Sequence, residues 1–203
     1  MGLPAIKNDH HYTYAEYKTW PEDDRWELIN GEAWAMSSPL LNHQIISSNL
    51  FGLLWTWFRG KPCRVLAAPL DVFLFEPLDR ELDDTELDKI DTVLQPDILV
   101  NCSVHQETKR GIRGAPRLVV EILSPSTGWK DQKLKFELYE QAGVAEYWVV
   151  DPVVRCLRQF NANNGKFGTG LEFRAPSRLE STVFSGLMIN LGSVFHGMSA
   201  EVL

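Results

Sequence analysis

The pattern of apolar and polar positions divides the first third of the chain into a short helix, a hairpin and a long helix. Thr13 and Glu16 have the spacing of a capping box, which predicts that a short helix begins there. Two short apolar runs flank Asn30 and Gly31, a pair that supplies the positive φ angles of a tight turn, so this stretch predicts a β-hairpin. Apolar residues then recur at three- and four-residue spacing, which predicts a largely buried helix over residues 41–59.

The next apolar segments have the composition of strands. Residues 63–75, "CRVLAAPLDVFLF", predict one strand with a break at Pro69. Residues 93–102, "VLQPDILVNC", predict a short strand entered through Pro96. The nearly continuous apolar run over residues 117–123 is typical of a strand that is buried on both faces.

An amphipathic segment follows this buried strand and leads into another one. Residues 130–143 predict a helix that ends at Gly143, and "AEYWVVD" after it predicts a further buried strand. A strand, a helix and a second strand in this order form a crossover, which joins parallel strands. Alternating segments beyond residue 152, with a turn at Asn163-Asn164-Gly165, predict a β-rich tail.

These elements together predict a mixed α/β fold with α+β character in a single domain over residues 1–203. A central mixed sheet flanked by helices would occupy residues 40–152. An N-terminal helix and β-hairpin at 12–37 precede it, and a C-terminal β extension at 153–203 follows.

The net charge of the chain is concentrated in one acidic segment. Of the net charge of −7, most lies in the segment 76–91, which holds eight acidic and two basic residues and predicts an exposed loop. The charge therefore neither favours nor excludes a nucleic-acid partner.

Cys63, Cys102 and Cys156 are odd in number and far apart, which favours reduced thiols over disulfides. With no secretory signal and no apolar stretch of membrane-spanning length, we expect a cytoplasmic protein without a membrane partner.

Candidate chemistry begins with Glu121, a charged residue inside the apolar run of residues 117–123. An ionised carboxylate in a dry core costs several kcal/mol unless it is paired or binds a metal. Asp97 lies at the start of the preceding strand. If the two strands are neighbours, both acids can converge and hold a hard cation such as Mg²⁺. The alternative is a structural acid paired with Arg117 or Lys135.

The helix after the buried strand adds a candidate cation. Asp131, Lys135 and Tyr139 are four residues apart and share a helix face. Lys135 could orient a water molecule or stabilise a phosphate oxygen near a metal. The alternative is an exposed Asp131–Lys135 pair with little energetic weight. Trp129, in the preceding turn, is a candidate for stacking on a base.

The segments "ELINGE", "QPDILV", "RLVVEILSPST" and "KLKFELYEQAGVAEYWVVDP" resemble the Uma2 family of restriction endonucleases, within the PD-(D/E)xK nuclease superfamily. The resemblance covers nearly the whole chain and implies a restriction-endonuclease-like core, a Mg²⁺ cofactor that Mn²⁺ can replace, DNA as the partner, and a homodimer.

The resemblance also implies roles for individual residues. Asp97 and Glu121 match the two acids of the motif and would be the metal ligands. The motif places lysine two residues after the second acid, where this chain has Leu123. Lys135 matches the lysine that this family is thought to supply from the following helix.

Two weaker matches lie nearer the N-terminus. Glu32 resembles an acid that nuclease relatives place near the first helix, and it is the fourth candidate catalytic residue with Asp97, Glu121 and Lys135. His43 matches a histidine at the start of the long helix, although such a residue more often caps or packs.

The first functional hypothesis is therefore a Mg²⁺-dependent DNA endonuclease that hydrolyses phosphodiester bonds. The alternative is a nuclease-like fold that binds nucleic acid or protein without cleaving it, which Leu123 and the scarcity of basic residues favour.

Overall fold

The computed structural model describes residues 10–21, 25–76, 83–124 and 131–199, without the side chains of Asp84, Asp131 and Gln132. Its helices within these ranges are α1 (Tyr14–Tyr17), α2 (Leu41–Phe58), α3 (Asp84–Leu87), α4 (Phe136–Ala142) and α5 (Leu191–Val194). A 3₁₀ turn lies at Val104–Gln106, and a π-helical turn at Asp131–Lys135 leads directly into α4.

The described strands in the first half of the chain are β1 (Trp26–Ile29), β2 (Glu32–Ala35), β3 (Arg64–Ala67), β4 (Asp71–Phe73), β5 (Val93–Leu94), β6 (Ile98–Asn101) and β7 (Gly111–Arg113). Those in the second half are β8 (Leu118–Ile122), β9 (Glu146–Asp151), β10 (Cys156–Asn163), β11 (Lys166–Phe167), β12 (Leu171–Arg174), β13 (Arg178–Glu180) and β14 (Met188–Asn190).

The local signals at the N-terminus are confirmed. The Glu16 carboxylate accepts a hydrogen bond of 3.1 Å from the Thr13 backbone N–H at the start of α1. The β1–β2 turn is built from Asn30 and Gly31 with φ angles of 49° and 77°, as the Asn-Gly pair requires. Helix α2 ends one residue before the predicted end.

Two sheets carry most of the strands. The first has the order β2-β1-β5-β4-β7, and the second has the order β11-β10-β9-β8-β6-β3, with β12 also paired to β10. Strands β8 and β9 are parallel and are joined through α4, which confirms the predicted crossover. The tail is β-rich as predicted, with β13 and β14 forming a separate pair and a turn at Asn164 and Gly165.

One predicted strand proves to be two strands in different sheets. Strand β3 pairs with β6 in the second sheet, whereas β4 pairs with β5 and β7 in the first. The chain passes from one sheet to the other at Pro69, which has no backbone N–H to continue a ladder. The single strand predicted from residues 63–75 was therefore wrong.

Where it is described, the acidic segment predicted as an exposed loop contains a short helix and buried apolar side chains. Helix α3 lies within it, and the side chains of Leu87 and Ile90 are buried against Tyr14 and Phe73. Residues 77–82 of the same segment lie outside the described residues. Apolar residues at the far end of the segment thus attach it to the first sheet.

The prediction of reduced thiols was wrong for two of the three cysteines. Cys63 and Cys102 form a disulfide, while Cys156 is a buried free thiol. The antiparallel register of β3 and β6 pairs Arg64 with Asn101, so that the residues just outside this pair face each other. The two cysteines are 39 positions apart in sequence, and this spacing gave no sign of the pairing.

The C-terminal extension is attached to the second sheet through a fully buried carboxylate. Glu146 accepts hydrogen bonds from Trp148 Nε1 at 2.8 Å and from Ser181 Oγ at 2.5 Å, and also from the Gln159 side-chain amide. These donors are neutral, so hydrogen bonds rather than a counter-ion compensate this acid for its burial.

Strand β8 is covered on both faces, as its apolar run predicts. Leu118, Val120 and Ile122 contribute to a core with α2, and Val119 and Leu123 contribute to a second core with α4. Among the described residues, no helix combines the length and the apolarity that a membrane crossing needs.

Candidate active site

The second sheet brings the two acids singled out in the sequence to the same level of neighbouring strands. Strands β6 and β8 are antiparallel, and Ile98 is paired with Val120. Asp97 and Glu121 are the next residues outward from this pair, so they face each other across the ladder. Both line one pocket, together with Arg25, Glu27, Ala35, Met36, Ser37, Pro39, His43, Ile122, Ser124 and Lys135.

Asp97 is held at the end of its strand by two donors. Its Oδ2 atom accepts a hydrogen bond of 2.7 Å from the Ile122 backbone N–H and lies 3.2 Å from His43 Nε2. The side chains of Asp97 and His43 are only 15% and 11% exposed. His43 Nδ1 is buried and meets no hydrogen-bond partner among the described residues. A carboxylate so restrained is presented to the pocket in one orientation.

Glu121 is buried next to a lysine and a tyrosine from the following helix. Lys135 Nζ lies 2.8 Å from Glu121 Oε1, and the Tyr139 hydroxyl donates to the same oxygen at 2.7 Å. Lys135 Nζ also lies 2.9 Å from Oε1 of Glu27 on β1. The three charged side chains are at most 4% exposed. One ammonium thus bridges two buried carboxylates, which satisfies charges that would otherwise be costly.

The π-helical turn and α4 each supply one partner of Glu121. Lys135 is the last residue of the π-helical turn, and Tyr139 follows four residues later on the same face, as predicted. Such wide turns are frequent at functional sites. Burial raises the pKa of Tyr139 well above its usual value, and the nearby Glu121 carboxylate raises it further. The hydroxyl therefore remains a neutral donor to Glu121.

A second polar network, centred on Gln95, contacts Glu27. The Gln95 backbone N–H donates to Glu27 Oε1 at 3.0 Å, and its side-chain amide donates to Asp71 Oδ1 at 2.9 Å and to the Tyr17 hydroxyl at 3.0 Å. The Tyr17 hydroxyl in turn donates to Asp71 Oδ1 at 3.0 Å. Burial raises the pKa of Asp71, although the hydrogen bonds from Gln95 and Tyr17 act to lower it.

The raised pKa of Asp71 predicts a pH-dependent effect of Asp71→Asn on stability. A carboxyl whose pKa is higher in the folded than in the unfolded state favours folding most at low pH, and this advantage is lost as pH rises through the folded-state pKa. The asparagine oxygen can still accept from Gln95 and Tyr17. We expect the variant to be more stable than wild type at neutral pH and to lose that advantage in acid. Urea denaturation over a pH series measures this, and a variant less stable at neutral pH would contradict it.

The structure does not bring every predicted residue to the pocket. Asp97, Glu121, Lys135 and His43 line it, but Glu32 is exposed at the far end of the β1–β2 hairpin. Glu27 is the hairpin acid that reaches the site instead. It had a detectable signal, because it stands within the apolar run "WELI" just as Glu121 stands within its own. Trp129 lies outside the described residues.

Of the two interpretations of Glu121 from sequence, the ion pair with Lys135 is observed, and the role as a metal ligand stays a prediction. Lys135, the candidate ion-pair partner, does pair with it, so the exposed Asp131–Lys135 alternative fails for the lysine, which is only 2% exposed. Among the described residues no group of three or more His, Cys, Asp or Glu side chains could hold a metal ion. Asp97 and Glu121 supply two hard oxygen donors, and this fits Mg²⁺, which is bound by one or two carboxylates and retains several waters.

A mixed sheet with helices on its faces, with two acids on adjacent strands and a lysine at one of them, defines a restriction-endonuclease-like fold. A crystal structure described as a putative nuclease belonging to DUF820 from Anabaena variabilis has this fold with a TM-score of 0.69. It is 19% identical to this chain, and the match covers 90% of this chain and 97% of the other.

The sequence comparison is more specific. The Uma2 family model, described as "Putative restriction endonuclease", matches residues 14–192. The chain therefore belongs to the Uma2 family. An uncharacterized protein of Synechocystis sp. (strain ATCC 27184 / PCC 6803 / Kazusa) is 26% identical over 187 residues, which are 91% of each chain.

Proposed function

We propose that the protein is a Mg²⁺-dependent endonuclease that hydrolyses phosphodiester bonds in DNA. The observation that carries this proposal is the register of β6 and β8, with Asp97 opposite Glu121 and the Lys135 ammonium 2.8 Å from the Glu121 carboxylate in one pocket. Membership of a family whose description is "Putative restriction endonuclease" supports the same reaction.

Asp97 and Glu121 would hold the cation. When bound, a divalent ion polarises a phosphate and makes water a stronger nucleophile at neutral pH. The Ile122 N–H and His43 orient the Asp97 carboxylate, so that little reorganisation is needed when the cation binds. Tyr139, which lies in the core beside α4, orients the Glu121 carboxylate in the same manner through its hydroxyl.

Lys135 would orient the attacking water and stabilise negative charge that develops on the phosphate. Its ammonium is close to Glu121 although it comes from a helix rather than from the position of Leu123. Leu123 itself is packed in the core with Val119 and Leu138, where a lysine would be poorly accommodated. The helix thus offers the positive charge that the strand does not carry, and Glu27 positions it from the other side.

Nicking of supercoiled plasmid tests the proposal. We expect the wild-type protein to convert supercoiled plasmid to open circles in Mg²⁺ or Mn²⁺ and to be inactive in chelator. Single-stranded DNA and RNA of matched length are included to establish the preferred substrate. Absence of cleavage on all three, with retained binding, would favour the alternative of a nuclease-like binding module, which Leu123 and the scarcity of basic residues also favour.

A further inference from the structure

Arg25 is a second cation of the pocket and had no place in the sequence-based site. It precedes β1, and the Met36 N–H donates to its carbonyl at 2.8 Å, so the hairpin ladder extends to this residue. Arg25 and Glu27 are two residues apart on this extended segment and therefore point to the same side. Both line the pocket that contains Asp97 and Glu121. The hairpin thus presents a cation and an acid together.

The Arg25 guanidinium is held by a neutral acceptor. Its Nε and Nη2 atoms donate to Gln95 Oε1 at 3.3 Å and 3.1 Å. The Gln95 amide is itself oriented, because its nitrogen donates to Asp71 and to Tyr17, which leaves the amide oxygen for Arg25. Gln95 is 8% exposed, so this support is buried. The side chain of Arg25 is positioned without being neutralised.

Its remaining donors are available for a ligand. A guanidinium has five N–H donors, and Gln95 accepts from two of those of Arg25. Within the ranges that the structure describes, the other three meet no acceptor, and no carboxylate forms an ion pair with Arg25. Lys135 differs in this respect, because both of its carboxylate partners lie within 2.9 Å.

The charges of the pocket indicate an anionic ligand for the Arg25 guanidinium. Glu27, Asp97 and Glu121 bring three negative charges, and Lys135 offsets one of them. A divalent cation would neutralise the remaining two. Among the described residues that line the pocket, Arg25 then provides a surplus positive charge, which matches the single negative charge of a phosphodiester. A planar guanidinium fork suits two phosphate oxygens.

We infer that Arg25 binds the non-bridging oxygens of a phosphodiester group of the nucleic-acid substrate at this pocket. The inference rests on the proposed nuclease function and adds a substrate-binding residue to it. Because the contact is made in the ground state as well as in the transition state, Arg25 acts on substrate affinity rather than on the chemical step.

The test is the substrate dependence of nicking in Mn²⁺ for wild type, Arg25→Gln, Arg25→Lys and the control Arg178→Gln, which alters an exposed arginine of β13. We expect Arg25→Gln to raise KM about 10- to 100-fold, as for a lost hydrogen bond to a charged group, with little change in kcat. Arg25→Lys retains the charge without the fork and should lie between. Arg178→Gln should match wild type.

Salt dependence supplies a second readout that a merely structural role would not affect. Loss of one phosphate contact lowers the slope of log(kcat/KM) against log[salt] by about 0.9 for duplex DNA. Thermal melts show whether each variant is folded. If Arg25→Gln is unfolded, Arg25→Lys replaces it in both comparisons. Unchanged KM and unchanged slope in a folded Arg25 variant would overturn this inference while the nuclease proposal stands. An inactive wild-type protein would overturn both.

Discussion

Replacing Asp97 with asparagine is expected to abolish metal-dependent nicking while leaving the fold intact. The asparagine oxygen can still accept the 2.7 Å hydrogen bond from the Ile122 N–H, so the end of β6 retains its main anchor. The negative charge that would hold the cation is lost, however. A bound metal supplies several kcal/mol of transition-state stabilisation, so we expect a rate loss on the order of 1,000-fold.

The control for this variant is Glu172→Gln, which makes the same carboxylate-to-amide change at an exposed acid of β12. Glu172 pairs with Arg174 at the surface and does not line the pocket, so its replacement should leave nicking unchanged. Metal titration followed by tryptophan fluorescence provides an independent measurement. Wild-type Mn²⁺ affinity in folded Asp97→Asn would refute the assignment of Asp97 as a ligand.

Replacing Lys135 with methionine is expected to have the largest effect on stability. Methionine fills a similar volume but leaves Glu27 and Glu121 buried with no ammonium between them. Removing one partner of a buried ion pair typically costs 3–5 kcal/mol, so the free energy of unfolding at neutral pH should fall by about that amount. The deficit should shrink as pH is lowered, because protonated carboxyl groups no longer repel each other. Urea denaturation at several pH values measures both effects.

Lys166→Met is the matched control, since Lys166 also lies 2.8 Å from a glutamate oxygen, that of Glu140. The Lys166 side chain is 75% exposed, against 3% for Lys135. Because solvent screens exposed pairs, we expect Lys166→Met to leave the unfolding midpoint nearly unchanged. Equal effects of the two substitutions would show that the buried ion pairs of Lys135 do not carry the stability assigned to them.

These two variants separate roles that meet at Glu121. The Asp97 side chain is 15% exposed, so we expect its charge to be dispensable for folding and needed for the proposed chemistry. The Lys135 side chain is 3% exposed, so we expect its charge to be needed for both. Glu121 is a structural acid through its ion pair with Lys135, and its role as a metal ligand belongs to the proposed function. The lysine that makes its burial tolerable is also the group proposed to act on the phosphate.

The candidate site was predictable from sequence as far as single charges in apolar runs could reveal it. Glu121 was conspicuous because every neighbour in its strand is apolar, and Asp97 followed from the adjacent strand start. Glu27 carries the same signal in a shorter run. The choice of Glu32 came from the resemblance alone, and Arg25 had no sequence signal at all, because it precedes its strand among charged residues.

The sequence by itself determined the elements whose signals are local. The Asn30-Gly31 hairpin, helix α2 and the β8–α4–β9 crossover follow from turn residues and periodicity that extend over only a few positions. Only the tertiary structure decided the separation of β3 from β4 and the pairing of Cys63 with Cys102. The same holds for the meeting of Glu27 with Lys135. Each of these depends on which distant segments become neighbours and in which register, and that is set by burial of the whole core rather than by any one stretch of chain.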